Sequence, residues 1–475
     1  MNSAVDQMRL EANQKLDPRT KGALGQFMTP YRIAEFMASL FTVTEAAAVL
    51  LDAGAGIGSL SIAASRVLNL KRIEAWEIDA VMQAYLQVSL DDLKVPHLIH
   101  KNDFIHDSVD RLQFNVGARF THAILNPPYK KMTSASSHRQ LLSSIGIETV
   151  NLYTAFLALA ILQMEEAGEI VAIIPRSFCN GPYYKPFRQF MLEKCRIDRI
   201  HVFESRTKAF QDDAVLQENI ILKLTRGAAQ SSVDLSFSHD SSLSDVVSRS
   251  VEFQDVVKPG DKELFIHIPD QADAEQSGSL FLHTLAELNL AVCTGPVVDF
   301  RLKEWWSSQA LPGTVPLIYP HHFTAEGFEY PRAHKKPNAL VAVPDVNKWL
   351  MPRGFYVLVK RFSAKEERRR VVAYLISPSD LEAALIGFEN HWNVLHFAKK
   401  GLAEDIAKGL TCFLNSSLLD RHFRVFSGHT QVNATDLRNM KYPSLSQLRS
   451  LGECYKSGMG QDEIDALIDM LGNAA

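Results

Sequence analysis

The sequence predicts an α/β protein whose first half forms a doubly wound, mostly parallel sheet, followed by a second domain of mixed α/β structure. Short apolar runs alternate with helical patterns from about residue 45 to residue 225, which is typical of strand–helix–strand units with helices on both sheet faces. A segment rich in Ser, Asp and small residues, 227–250, interrupts this pattern. Beyond about residue 280 the chain has short strand-like pieces and several prolines, without the alternation.

Each predicted element of the first half follows from the length and period of its apolar pattern. Short apolar runs bounded by turn residues predict buried strands, and longer runs with a helical period predict helices. We expect strands at 46–51, 72–76, 97–100, 122–125, 170–174, 197–203 and 219–224. We expect helices at 59–68, 80–93, 152–166 and 184–193. A polar loop joins the last two strands, so we expect them to form an antiparallel edge.

The 475 residues suffice for two or three domains. We expect one domain over 1–240, a connecting segment over 241–284 and a second domain over 285–475. The chain is 46% hydrophobic and 22% charged, which excludes a mainly disordered or disulfide-stapled protein. Five scattered cysteines without a CxxC pair predict a reducing compartment and no metal site. The polar N-terminus and short apolar runs predict a cytoplasmic protein that does not enter a membrane.

Charge is distributed unevenly along the chain. The formal net charge of −4 gives no indication of a nucleic-acid partner. Residues 290–441, however, contain 20 Lys and Arg against 14 Asp and Glu, and the basic run 360–370 is the richest part. This run fits either a solvated surface or a surface that contacts phosphates.

A glycine-rich loop follows the first predicted strand and reads Asp-Ala-Gly-Ala-Gly-Ile-Gly over 52–58. Glycines such as Gly54 and Gly56 allow a tight turn and the close approach of a ligand. The acid Asp52 at the end of the strand disfavours a phosphate and suits a cationic or hydroxyl-bearing group. The pattern differs from the dinucleotide fingerprint and resembles the loop that binds S-adenosylmethionine (SAM) in methyltransferases. A plain tight turn is the alternative interpretation of the loop alone.

Two further acids follow the next two predicted strands. Glu77, with Ile78 beside it, comes about 20 residues after the glycine loop, where a carboxylate can accept both ribose hydroxyls. Ile78 can pack on an adenine ring, and Asp103 can accept from the adenine amino group. Ligands of open α/β sheets bind at the carboxyl ends of the strands. Three acids at successive strand ends therefore predict one cofactor site.

The fourth predicted strand ends in Asn126-Pro127-Pro128-Tyr129. Two prolines restrict the backbone and remove two N–H donors, so the Asn126 side-chain carbonyl and a proline carbonyl can both accept from one amino group. Tyr129 offers a ring on which a base can stack. Lys130 follows the motif and could hold a phosphate beside the target nucleotide. A proline-rich turn is the alternative.

Together these motifs resemble those of the gamma class of N6-adenine DNA methyltransferases, in particular methylases of the BsuBI/PstI type. The segment Gly-Gln-Phe-Met-Thr-Pro, 25–30, resembles their methionine-pocket motif, and the order of pocket, SAM loop and NPPY motif is the gamma order. The segments 175–181, 200–205 and 428–437 also look like this family. The resemblance implies a class I SAM-dependent methyltransferase fold with a C-terminal target-recognition domain.

The resemblance also implies a role for each motif residue. The cofactor would be bound by Phe27, Thr29, Pro30, Asp52, Gly54, Gly56, Glu77, Ile78, Asp103, Phe104 and Asn126. The catalytic motif would be Asn126, Pro127, Pro128 and Tyr129, and the flipped adenine would lie against Tyr129 and Phe210. Gln431 and Asn433 would contact DNA, unless their loop only caps the next helix.

The implied partner is double-stranded DNA in a bacterium or archaeon, with methyl transfer from SAM and no metal. A separately encoded restriction endonuclease could act on the same site, and the enzyme could be a monomer or a dimer. Three alternatives remain: a methyltransferase for RNA or a protein glutamine, a non-catalytic DNA-recognition subunit, and a fused restriction–modification polypeptide. The intact motifs disfavour the second. The third lacks room for a nuclease domain.

Overall fold

The chain divides into two compact units, residues 1–268 and 269–475. The computed structural model describes residues 2–15, 28–117, 119–203, 219–269, 280, 282–324, 327–362, 369–426 and 431–473. The predicted boundary at residue 240 lies inside the first unit. Among the described residues, no helix has the length and apolar character needed to cross a bilayer.

The first unit contains nine strands and nine helices in its described residues. The strands are β1 Ala48–Ala53, β2 Leu70–Trp76, β3 His97–His100, β4 Phe120–Leu125, β5 Met164–Pro175, β6 Cys195–Phe203, β7 Asn219–Arg226, β8 Val233–Ser238 and β9 Val247–Val251. The helices are α1 Asn2–Lys15, α2 Tyr31–Ser39, α3 Ser59–Ala64, α4 Ala80–Asp92, α5 Phe104–Gln113, α6 Ser137–Ser144, α7 Leu152–Gln163, α8 Lys185–Lys194 and α9 Phe253–Val256. All seven predicted strands and all four predicted helices of this unit are present; β3 has the predicted ends, and the others are shifted.

The nine strands form one sheet in the order β3-β2-β1-β4-β5-β7-β6-β8-β9. Strands β1 to β5 pair in parallel, which confirms the predicted α/β arrangement. Strand β7 runs antiparallel to β5 and to β6, as predicted for the last pair. The pair is not an edge, however, because β8 and β9 continue the sheet beyond β6.

The Ser-rich segment 227–250, which interrupts the pattern of the first half, forms strand β8 and most of strand β9. Ser236 and Ser238 are buried in β8, where their hydroxyls lie 3.0 and 3.1 Å from the two ring nitrogens of His201. Val233 and Leu235 of the same strand join the core. The serines are therefore buried and hydrogen-bonded, so their polar composition did not indicate a solvated connection. Strand β9 and the core residues Val256, Ile266 and Ile268 lie within the connecting segment predicted over 241–284, so its part up to residue 268 belongs to the first unit.

Local sequence signals explain the helices that approach the sheet edge. Asp79 and Asp103 end the loops after β2 and β3, and each carboxylate accepts two backbone N–H groups at the start of the next helix. These caps fix where α4 and α5 begin.

Helix α7 is apolar on all sides and almost entirely buried, since it packs against the sheet and against other helices.

The second unit is built from short strands and five helices near its C-terminal end. The strands are β10 Ala291–Thr294, β11 Trp306–Ser307, β12 Thr314–Ile318, β13 Phe323–Thr324, β14 Gly327–Phe328, β15 Ala339–Val341, β16 Leu350–Pro352, β17 Tyr356–Lys360, β18 Ala373–Ile376, β19 Leu385–Phe388 and β20 Trp392–His396. The helices are α10 Pro344–Asn347, α11 Glu404–Leu414, α12 Ser417–Phe426, α13 Ala434–Asn439, α14 Leu445–Cys454 and α15 Gln461–Asn473. The one-turn helix α10 precedes the group of five.

The strands of the second unit form sheets of four, five and two strands. The four-stranded sheet has the order β10-β20-β17-β18, and the five-stranded sheet has the order β11-β15-β12-β19-β16. Almost all of these pairs are antiparallel; β12 and β19 are parallel. The buried Trp392, Tyr356 and Phe388 form part of one core cluster of this unit. The predicted mixed α/β composition of the second domain agrees with this arrangement.

Candidate functional site

The glycine loop turns sharply at the end of β1. The backbone N–H groups of Gly54 and Ala55 both donate to the Trp76 carbonyl at 2.9 Å, which ties the loop to the end of β2. Gly54 and Gly56 have φ values of +77° and +56°, which other residues adopt only with strain. A Cβ at Gly56 would have no heavy atom within 4 Å. The loop backbone therefore borders open space that a ligand can enter.

Glu77 is fixed beside this loop. Its side chain accepts the Gly56 N–H at Oε2 and the Asp79 N–H at Oε1, both at 2.8 Å. Burial raises the pKa of Glu77 to about 7, although the backbone N–H groups of Asp79, Gly56 and Ile78 oppose that rise. A carboxylate has about four acceptor sites, so Glu77 retains acceptor capacity for a ligand. The neighbouring Ile78 is 50% exposed and offers an apolar surface at the same place.

Asp103 lies at the end of the loop after β3 and interacts with a histidine distant in sequence. Its Oδ1 accepts the N–H groups of Ile105 and His106, and its Oδ2 lies 3.2 Å from Nε2 of His138 on α6. Burial opposes ionisation, but the hydrogen bonds from His138 and the backbone outweigh it and lower the pKa of Asp103. Phe104 is buried and packs against aromatic rings 4.9 and 5.4 Å away.

Asp52 is oriented differently from the other two acids. Its side chain is fully buried, and its Oδ2 accepts the Ser61 hydroxyl at 2.6 Å. No described residue donates to its Oδ1. Burial raises the pKa of Asp52 to about 7, with the bond from Ser61 acting against the rise. Asp52 therefore bonds the end of β1 to helix α3 and does not line the cavity described below.

Asn126 follows β4 and has hydrogen-bond partners at both ends of its amide. Its Nδ2 donates to Thr29 Oγ1 at 2.9 Å, and its Oδ1 lies 3.0 Å from the Tyr129 hydroxyl. The Tyr129 hydroxyl also lies 3.1 Å from the Ile173 carbonyl, and it can donate its single proton to either oxygen. Burial raises the pKa of this phenol. In this orientation Oδ1 is the acceptor end of the Asn126 amide, and Nδ2 is bonded to Thr29.

These groups surround a cavity of about 420 Å³, within the size range of small-molecule sites. Ten predicted site residues line it: Thr29, Gly54, Gly56, Glu77, Ile78, Asp103, Phe104, Asn126, Pro128 and Lys130. Four predicted residues of the first unit do not line it: Pro30, Asp52, Pro127 and Tyr129. Pro30 precedes α2, Asp52 and Pro127 are buried, and the half-buried ring of Tyr129 meets Tyr153 edge-on at 6.2 Å. Phe27 and Phe210 lie outside the described residues.

Sequence reasoning missed several residues of the cavity. Met28, Trp76, Asn102, His138 and Phe156 also line it. Met28 and Trp76 are adjacent in sequence to Thr29 and Glu77, which were predicted to bind the cofactor, so their place at the site could have been inferred. His138 could not have been inferred, because helix α6 was not predicted and only the fold brings His138 to Asp103.

Asp103 and His138, which line the cavity, and the exposed His106 beside them have the chemistry of metal ligands. Ligand atoms of Asp103, His106 and His138 lie within 4.8 Å of one another. Carboxylate and imidazole groups suit first-row transition metals. The sequence-based expectation of no metal remains a prediction.

The two recognition residues predicted in the second unit have local structural partners. Gln431 is half-buried and forms an isolated antiparallel bridge with Phe362. Asn433 is the N-cap residue of α13, and its backbone N–H donates to Asp436 Oδ2 at 2.9 Å. The alternative that this loop caps the following helix is therefore present for Asn433.

The fold and the cavity at the carboxyl edge of the parallel strands define a class I SAM-dependent methyltransferase. A family model described as Eco57I restriction-modification methylase matches residues 64–210. The chain is similar to the Type II methyltransferase M.BsuBI of Bacillus subtilis, with 47% identity over 98% of this chain and 97% of the relative. It is also similar to the Type II methyltransferase M.PstI of Providencia stuartii, with 41% identity over 99% and 97%.

The chain belongs to the BsuBI/PstI-type methylases of restriction–modification systems, which confirms the resemblance inferred from the motifs. It is a DNA methyltransferase of this kind, and the RNA and protein-glutamine alternatives are not favoured. The solved structure of the Type IIL restriction–modification enzyme MmeI in complex with DNA is similar in fold. Its TM-score is 0.52 at 11% identity, over 90% of this chain and 69% of that chain.

Proposed function

We propose that this enzyme methylates the N6 amino group of a flipped adenine in double-stranded DNA, at a specific site, as the modification enzyme of a type II system. The observation that carries the proposal is the orientation of Asn126. Because its Nδ2 donates to Thr29, its Oδ1 is left as the acceptor. An acceptor at this position suits an exocyclic amino group, which has two N–H donors.

The residues of the cavity fit SAM. The open space beside Gly56 admits a ligand close to the backbone, and the free lone pairs of Glu77 suit two ribose hydroxyls. Ile78 and Phe104 provide apolar surface for an adenine ring, and Asp103 provides an acceptor for its amino group. When bound, SAM supplies a methyl group on a positively charged sulfur. The predicted cofactor role of Asp52 would be indirect, through its bond to helix α3, which follows the glycine loop.

The chain itself would orient the target nitrogen. Asn126 Oδ1 and the Pro127 carbonyl would each accept one proton of the adenine amino group, which leaves the nitrogen lone pair directed at the methyl group. The Tyr129 hydroxyl would give up its contact with Asn126 and keep the Ile173 carbonyl as its acceptor. Flipping the adenine costs a few kcal/mol, which stacking and edge hydrogen bonds offset. Tyr129 and Phe210 remain the proposed stacking residues, with Lys130 at a phosphate.

The second unit would supply target recognition. Its basic excess and its loops suit contacts with phosphates and base edges, and Gln431 and Asn433 remain proposed contacts. A monomer or dimer would suffice for modification, and a separately encoded endonuclease could share the site. A cytoplasmic location and the absence of a metal requirement belong to the same proposal.

The experiment is methylation of plasmid DNA with tritiated SAM, followed by digestion to nucleosides and chromatography. We expect the label in N6-methyldeoxyadenosine, and a duplex of only G·C pairs should receive no label. Label in N4-methylcytosine would overturn the adenine assignment. Label in RNA or protein, with none in DNA, would overturn the substrate class.

A further inference from the structure

Tyr183 is an aromatic residue of the first unit that the proposed mechanism does not use, although it is 72% exposed. It lies in a short 3₁₀ turn, Pro182–Tyr184, directly before α8. A single exposed apolar residue needs no functional explanation. Its neighbours, however, connect it to the target motif.

The turn that carries Tyr183 is anchored on the inside. Tyr184 is buried, its ring centroid lies 6.0 Å from that of Tyr153, and its hydroxyl is hydrogen-bonded to the Asn151 side chain. The Tyr184 N–H donates to the Gly181 carbonyl at 3.0 Å. Because Tyr184 occupies the inner side, the turn presents Tyr183 to solvent.

The same inner residues hold the loop that leaves the NPPY motif. Lys131 pairs with Asn151 in an antiparallel bridge, and the Lys130 carbonyl accepts the Leu152 N–H at 2.9 Å. Tyr153 in turn meets the ring of Tyr129 edge-on at 6.2 Å. Tyr153 therefore contacts both the turn that carries Tyr183, through Tyr184, and the target motif, through Tyr129.

On the surface, Lys131 lies beside Tyr183 and also lines the cavity of the target motif. Its Nζ lies 5.9 Å from the centroid of the Tyr183 ring, and Lys131 and Lys130 both line the cavity that contains Asn126. An exposed ring beside exposed lysines matches the chemistry of distorted nucleic acid, since bases stack on aromatic rings and phosphates pair with cations. A protein partner would be better served by a wider apolar patch.

We propose that Tyr183 contacts the DNA beside the flipped nucleotide, with its ring against an exposed base or sugar and with Lys131 at the neighbouring phosphate. The inference rests on the proposed function, because it requires a base to leave the duplex. The contact stabilises the flipped state, so Tyr183 is a positioning residue and takes no part in methyl transfer itself.

The test compares Tyr183→Ala with Tyr183→Phe on the DNA site that the labelled products identify. We expect Tyr183→Ala to raise the KM for DNA and lower the flipping signal of 2-aminopurine at the target by about tenfold each. Tyr183→Phe should behave as wild type, since the ring is the contact. Phe114→Ala is the matched control, because Phe114 is also 72% exposed but lies in a separate surface pocket with Leu98 and His100, whereas Tyr183 lies beside Lys131.

A DNA substrate with a mismatch opposite the target adenine distinguishes a role of Tyr183 in contacting DNA from a purely structural role. It lowers the cost of flipping, so it should restore most of the Tyr183→Ala activity, with unchanged SAM affinity and melting temperature. Wild-type behaviour of Tyr183→Ala on the matched duplex, or a defect that the mismatch does not relieve, would overturn the inference. Failure of the wild-type enzyme to methylate adenine would instead overturn the proposed function.

Discussion

The two units hold their candidate functional residues in different ways. In the first unit, Glu77, Asp103 and Asn126 stand just after parallel strands, and each has hydrogen bonds that orient its side chain toward one cavity. In the second unit, Gln431 and Asn433 belong to a strand bridge and to a helix cap. The carboxyl edge of a parallel sheet thus brings several functional side chains to one cavity. The predicted recognition residues lie in loops, where they also stabilise the local structure.

Apart from Asn126 itself, the largest effect expected from this comparison is at Thr29. Replacing it with Val removes the acceptor that holds Asn126 Nδ2, so the amide loses its fixed orientation. We expect kcat to fall about 10- to 100-fold while the KM for SAM changes by less than about threefold. Thr29→Ser keeps a hydroxyl and should retain most activity. A raised KM for SAM with normal kcat would instead assign Thr29 to the methionine side of the cofactor.

The next effect is a pH dependence of SAM binding. Burial raises the pKa of Glu77 to about 7, and the protonated carboxyl accepts fewer hydrogen bonds than the carboxylate. SAM affinity should therefore weaken as the pH falls below about 7, by at most about tenfold per pH unit. Calorimetric titration from pH 5.5 to 8.5 measures this.

Matched variants identify the group responsible for that pH dependence. Glu77→Gln should weaken binding at pH 8 and flatten the profile. Asp52 also has a pKa near 7 because it is buried, so Asp52→Asn is the necessary comparison. A profile that Asp52→Asn flattens and Glu77→Gln leaves intact would contradict the assignment to Glu77.

A smaller pair of effects tests the second unit. Asn433→Ala should lower the free energy of unfolding by about 1 kcal/mol, as expected for loss of an N-cap. Gln431→Ala should raise the KM for DNA a few-fold with little loss of stability. Denaturant unfolding and methylation kinetics measure the two quantities. If Asn433→Ala changes the KM for DNA and leaves the stability unchanged, Asn433 acts in DNA contact and not as a helix cap.

The smallest expected effect is that of a chelator. The proposed transfer needs no metal, so EDTA should leave the methylation rate unchanged. Loss of activity with EDTA, restored by a transition metal in wild type and abolished in His106→Ala, would assign a metal to Asp103, His106 and His138.

The parallel arrangement of the first strands, and the meeting of several predicted site residues at one cavity, could be expected from the sequence. Parallel strands bring their carboxyl ends together, so Glu77 and Asp103 could be expected at one edge. The direction of Asp52 could not, because burial against Ser61 depends on packing. The contact of His138 with Asp103 joins distant segments. Strand β8 was missed because its serines are satisfied by His201, which no local pattern reveals.

The most direct test of the account is the single-turnover rate of Asn126→Ala at saturating SAM and DNA, with the SAM affinity measured alongside. We expect the rate to fall at least about 10²- to 10³-fold, by analogy with the loss of one preorganised hydrogen-bonding group in an active site. The SAM affinity should stay within about threefold of wild type. Asn69→Ala, outside the cavity, is the matched control. A rate loss below about tenfold, or a loss explained by SAM binding alone, would contradict the central role of Asn126.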